Sequence, residues 1–174
     1  MLCKEAFEKY PFLRPRDLSG ELVEYTEAEL DERYTTEIPG GWYKLFFQMC
    51  EDIKPILEKN NLLDTFYFLQ VKEKFNRLCC YSTGSTDEVN AVISKYEAMA
   101  YYVCSNCGKP AEAETQGYFI SFCNDCWKDF ARHDTVRWIT FKPYYTITTF
   151  ENDKWVDKTI SFEEEWNRYI RSFN

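Results

Sequence analysis

Four cysteines set in two C-x-x-C pairs, Cys104, Cys107, Cys123 and Cys126, are the residues whose types and spacing point most directly to chemistry. Two thiolates three residues apart can hold one ion in a tight knuckle, and a second pair, fifteen residues further on, can close a tetrahedral shell. Soft sulfur donors select zinc, with an iron–sulfur cluster as the main competitor, and the expected cofactor is Zn2+. A full set of four leaves no position for an activated water, so the metal is expected to be structural. Gly108 directly follows the second ligand, where a backbone free to take positive φ lets amides turn toward the sulfurs.

Groups able to do acid–base or nucleophilic work are scarce. His133 is the single histidine and is expected to end a helix rather than serve catalysis. Cys79 and Cys80 stand next to each other, so on a strand they point to opposite faces, and Cys50 falls beside an apolar helical stripe as a small buried hydrophobe. Neither a phosphate-cradling glycine loop, a dinucleotide fingerprint nor a nucleophile elbow occurs. The chain therefore reads as a non-enzyme. Lys72, Lys74 and Arg77, interleaved with Phe75 and close to Tyr81, are the candidate partner or nucleic-acid contact, combining phosphate-binding charge with rings that stack on bases.

These residues need elements to position them. Trp42, Leu45, Phe46, Met49, Ile53, Ile56 and Leu57 recur at three- and four-residue spacings and predict an amphipathic helix, with Pro55 in its last turns. Residues 66–71 and 78–81 predict a strand pair, turning near Asn76, which tolerates the left-handed conformation. A capping box from Ser85 to Glu88 starts a second helix, with Val89, Val92, Ile93, Tyr96 and Met99 on its buried face. Residues 112–122 read as a hairpin turning near Gln116 and Gly117, followed by a helix over 127–132 whose dipole favours thiolate at Cys123 and Cys126. Strands over 136–150 and 154–160 meet at Asn152 and Asp153, and Ser161 with Glu164 opens a last helix carrying Phe162, Trp166, Tyr169 and Ile170.

The expected fold class is α+β, a small antiparallel sheet with packed helices plus a treble-clef-like zinc module built on the four cysteines. The expected organisation is an α+β region over 1–100, the zinc module over 101–134, and a β-hairpin with a C-terminal helix over 135–174, packed as one unit. At 174 residues, 45% hydrophobic and 18% aromatic, the chain has the apolar content for a folded core throughout. Its formal charge of −8 opposes general affinity for nucleic acid and suits basic protein partners. Glu24, Glu27, Glu29, Asp31 and Glu32 make the densest acidic run. No segment has the apolar length of a membrane helix or a secretory signal, and reduced, metal-binding cysteines fit a cytoplasmic protein.

Several stretches taken together carry a resemblance: Ile38-Pro39-Gly40-Gly41-Trp42, then Gln70-Val71-Lys72-Glu73-Lys74-Phe75, then the knuckle from Cys104 to Pro110 and the closing pair Cys123 and Cys126. In this order, over about residues 10–130, the chain resembles a family of small uncharacterised phage and bacterial proteins with a Lys-Glu-Lys-Phe segment and a C-terminal zinc knuckle. The resemblance implies a context, phage or other mobile DNA, and no activity. It departs at Asn76, where a glycine is usual, and at Cys79, where a basic residue is usual; the latter weakens a phosphate-binding role for the hairpin. The expected function is thus a zinc-stabilised protein-interaction protein acting on a host or phage protein. Its narrowest form is an anti-CRISPR-like inhibitor of a host defence nuclease. The alternative is a nucleic-acid-binding accessory protein using the hairpin of Lys72, Lys74 and Arg77.

Overall fold

The computed structural model describes residues 4–17, 19–24, 26, 38–130 and 135–173. Helix α1 (Lys4–Lys9) and a single 3-10 turn (Pro11–Leu13) lead in, and Gly40–Trp42 forms another such turn that passes directly into α2 (Tyr43–Lys59). The predicted apolar stripe of α2 faces the core: Trp42, Leu45, Phe46, Met49, Cys50, Ile53 and Leu57 are all buried, with Ile56 at its margin. The helix continues past Pro55 to its end four residues later, and the ring sits on the exposed side.

Strands β1 (Tyr67–Glu73) and β2 (Leu78–Thr83) pair antiparallel around a turn in which Phe75 and Asn76 both take positive φ, 51° and 61°. Two consecutive left-handed residues give the turn that matches the twist of a two-residue hairpin. Helix α3 (Asp87–Ala100) follows, and its cap differs from the capping box read in the sequence. Thr86 is the N-cap, its hydroxyl accepting from the Val89 amide at 3.3 Å, while Ser85 stays in the connection after Gly84. Either hydroxyl can cap, and the chain turns just before them at Gly84, where any Cβ would sit 2.4 Å from the Thr65 carbonyl oxygen. Val89, Ile93, Tyr96, Met99 and Ala100 pack against α2.

Beyond α3 come β3 (Ala113–Thr115), β4 (Ser121–Phe122), α4 (Asn124–Phe130) and β5 (Val136–Trp138). β3 is the centre of a three-stranded antiparallel sheet, paired on one side with β4 and on the other with β5. The single strand expected over 136–150 is broken. Residues 139–143, ending at Pro143, which has no amide hydrogen to give a ladder, carry the chain from β5 to β6 (Tyr144–Glu151). Among the described residues β6 pairs only with β7 (Lys154–Ser161), turning at Asn152 and Asp153 with φ of 48° and 60°. The fold is mixed α and β as expected, but the strands among the described residues form three small antiparallel sheets rather than one.

The last helix, α5 (Glu163–Arg171), starts after Phe162, with the Ser161 hydroxyl accepting from the Glu163 amide at 3.3 Å. Phe162, Trp166 and Tyr169 are buried in the core that α2 and α3 line. Polar contacts hold the same helix: Lys95 pairs with Glu165 at 2.6 Å, and Arg168 reaches Asp52 and the Tyr96 hydroxyl. Among the described residues, no helix is long and apolar enough to cross a membrane.

Candidate metal centre

The chain arrives from α3 and folds sharply. The Cys104 amide donates to the Lys109 carbonyl at 2.8 Å, the Gly108 amide donates back to the Cys104 carbonyl at 2.9 Å, and Gly108 takes φ of 79°. That loop places the first two sulfurs side by side. The β3–β4 ribbon then turns through Gly117, φ of 90°, and returns the chain so that the Ser105 amide donates to the Ser121 carbonyl at 2.9 Å. Cys123 immediately precedes α4 and Cys126 lies in its first turn; the helix starts at Asn124, three residues earlier than the start predicted at 127. His133 and the predicted helix end at 132 lie outside the described residues.

The sulfurs of Cys104, Cys107, Cys123 and Cys126 all fall within 4.8 Å of one another and could hold a metal ion. A tetrahedral zinc thiolate centre needs sulfurs about 3.8 Å apart, from bonds of about 2.3 Å, and the Cys107 to Cys123 separation is 3.6 Å. All four donors are soft, which fits such an ion. Cys104, Cys123 and Cys126 are buried and Cys107 is exposed. At Cys104 burial works against ionisation, and the amides of Cys107, Cys123 and Asn106 outweigh it and hold the thiol below its ordinary value. Desolvation pushes Cys107 and Cys123 up. Four sulfurs this close cannot all ionise without a cation between them. The Asn106 side-chain amide, which donates to the Cys126 sulfur at 3.3 Å, is a neutral donor suited to a thiolate.

The knuckle is buttressed from distant parts of the chain. Gly41 donates to the Ser105 carbonyl at 2.9 Å, and a Cβ on Gly41 would lie 2.1 Å from the Cys104 carbonyl oxygen, so only glycine fits there. The Trp42 indole donates to the Val103 carbonyl at 3.2 Å, and the Tyr169 hydroxyl donates to the Gly108 carbonyl at 2.6 Å.

Asn76 is a further contact that its reading as a turn residue did not reveal. Its side chain is buried, donating to Glu114 Oε1 at 3.0 Å and to the Ser121 hydroxyl at 2.7 Å, while its carbonyl oxygen accepts from the Ser121 amide at 3.0 Å. The hairpin tip is thereby bonded to the β3–β4 ribbon.

The basic residues of that hairpin do not converge. Lys72 lies over the Tyr81 ring at 5.4 Å and Lys74 beside Phe75 at 6.0 Å, whereas Lys72 and Arg77 border different cavities. Of the acidic run, Glu24 is described and exposed; Glu27, Glu29, Asp31 and Glu32 lie outside the described residues. The remaining described thiols are unactivated: burial pushes Cys50, Cys79 and Cys80 up, reinforced at Cys79 and Cys80 by the Glu97 carboxylate. Compared with protein-family models, with curated proteins and with solved structures, the chain finds no significant match in any of the three.

Proposed function

We propose that this chain is a non-enzymatic protein-interaction protein, stabilised by a structural zinc ion in a treble-clef-like module, that docks a host or phage protein through its β6–β7 arm. One observation carries the docking role. Among the described residues the arm's strands pair only with each other, and it ends in two exposed rings, Phe150 at 58% and Trp155 at 74%, in edge-to-face contact with centroids 5.1 Å apart. Tryptophan and its aromatic neighbours dominate binding hot spots when a partner buries them. The net charge of −8 suits a basic partner surface, including the DNA-binding face of a defence nuclease, which is the anti-CRISPR-like form of this reading.

Four soft sulfur donors and the 3.6 Å separation of Cys107 and Cys123 support the zinc reading. A closed thiolate shell supplies on the order of 10 kcal/mol to local folding and no reactive water.

The test is affinity capture from host lysate with the native chain and with a Phe150→Ala/Trp155→Ala variant. Both rings are exposed, so the variant keeps its melting temperature, and loss of a specific captured protein by roughly tenfold or more is expected. Equal capture by both proteins, or no partner even at low salt, would overturn the proposal.

A second reading, a nucleic-acid-binding accessory protein, draws on Phe75, which is 74% exposed next to Lys74 at the hairpin tip. It requires a salt-dependent affinity for single-stranded or duplex DNA that falls on charge reversal at Lys72 and Lys74. An affinity unaffected by that reversal would remove the hairpin from the account.

A further inference from the structure

A second site lies away from the four cysteines, in a cavity of about 600 Å3 between β2, α3 and the base of the β6–β7 arm. Its lining is chemically mixed. Glu97 presents a half-buried carboxylate, one oxygen of which accepts from the Cys80 amide at 2.7 Å, and among the described residues it has no ion pair. Burial raises this carboxyl above its ordinary value, and the Cys80 amide only partly opposes that. A carboxylate in such a place gains from a ligand that brings N–H donors to it.

Tyrosines from two separate segments, Tyr101 and Tyr102 after α3 and Tyr144 and Tyr145 at the start of β6, line the same cavity. Tyr144 is 45% exposed and so offers ring surface to a ligand. Two guanidiniums complete the wall. Arg77 is exposed and has no ion pair among the described residues, whereas Arg137 uses one nitrogen for the Tyr101 hydroxyl at 3.1 Å and for Glu114.

A ligand matching all three groups is planar and aromatic for the tyrosines, carries N–H donors for Glu97, and is anionic for the arginines. An ammonium ligand would suit the rings and the carboxylate but would meet two like charges. From this convergence we propose that the cavity is a binding site for a purine mononucleotide. Guanine is favoured, because its ring N–H and exocyclic amine form a parallel donor pair that one carboxylate accepts. The volume falls within the usual range for small-molecule sites, about 300–1,000 Å3. This cavity is lined by none of the four cysteines and by neither ring of the arm's exposed tip.

Isothermal titration of the full chain with GMP, AMP, guanosine, inorganic phosphate and tetramethylammonium tests the assignment. GMP is expected to bind saturably, with AMP and guanosine each weaker by roughly tenfold or more. Glu97→Gln keeps an oxygen for the Cys80 amide and should weaken GMP by a similar factor. Arg77→Ala removes an exposed side chain, should leave the melting temperature unchanged, and should reduce GMP to the affinity of guanosine. Absence of saturable GMP binding at millimolar concentration would overturn the proposal. So would tetramethylammonium binding alone, or GMP binding that Arg77→Ala leaves intact; this exposed substitution keeps the test decisive if Glu97→Gln does not fold.

Discussion

Asn76 joins two functions in one side chain. Its backbone sits at φ of 61°, a conformation asparagine tolerates better than other residues with a Cβ, and its amide donates to Glu73 Oε1 at 2.6 Å. Its side chain makes three buried hydrogen bonds to Glu114 and Ser121. Glycine would keep the turn and lose the bonds, whereas alanine would lose both. The expected order of stability is therefore native, then Asn76→Gly, then Asn76→Ala, with losses of about 2 and about 3 kcal/mol by urea unfolding. A loss below about 0.5 kcal/mol for Asn76→Ala would mean that water or rearrangement replaces these bonds. Asparagine's tolerance of positive φ was legible in the sequence. Its partners, 38 and 45 residues away, were not, because no local pattern encodes which polar groups a buried amide will meet.

At the scale of elements, α5 is the piece that closes the core over α2 and α3. Trp166 is 6% exposed and stacks on Phe141 with centroids 4.7 Å apart, and on the same helix Tyr169 reaches the knuckle at Gly108. Trp166→Ala should cost about 3–5 kcal/mol, read as a fall in the urea midpoint. Little or no change in that midpoint would mean that α5 is an appendage. The helices were the most legible elements, because a 3.6-residue apolar stripe is a long-range average that tolerates single exceptions such as Ile56 and Val92, both only partly buried. Their ends were less legible: Ser85 and Thr86 both carry a hydroxyl able to cap, and Thr86 is the one that does. The break between β5 and β6 did have a local sign in Pro143, outweighed in the reading by the β-branched and aromatic residues around it.

In the whole molecule the knuckle is a joint rather than a terminal ornament. Three separate parts of the chain reach it or its ribbon: Gly41 and Trp42 ahead of α2, Asn76 at the β1–β2 turn, and Tyr169 near the C-terminus. Spacing made the four cysteines legible, but these contacts are set by tertiary packing. They determine how far loss of a metal would propagate. An isolated module would unfold alone and leave α2, α3 and α5 intact, whereas a joint would loosen the core that Trp42 and Tyr169 share with those helices. Removing metal with a strong chelator, and separately substituting Cys107→Ser, should therefore lower the melting temperature of the entire chain in one cooperative transition. Release of one metal ion per chain should accompany chelation, and re-addition of zinc should restore the native protein but not the variant. Helical circular dichroism and near-ultraviolet tryptophan signals should fall together, since Trp42 lies in the helical core and bonds to the knuckle. If chelation releases metal while the helical signal melts at its original temperature, the knuckle is energetically separate, and the contacts at Gly41, Trp42 and Tyr169 carry no coupling.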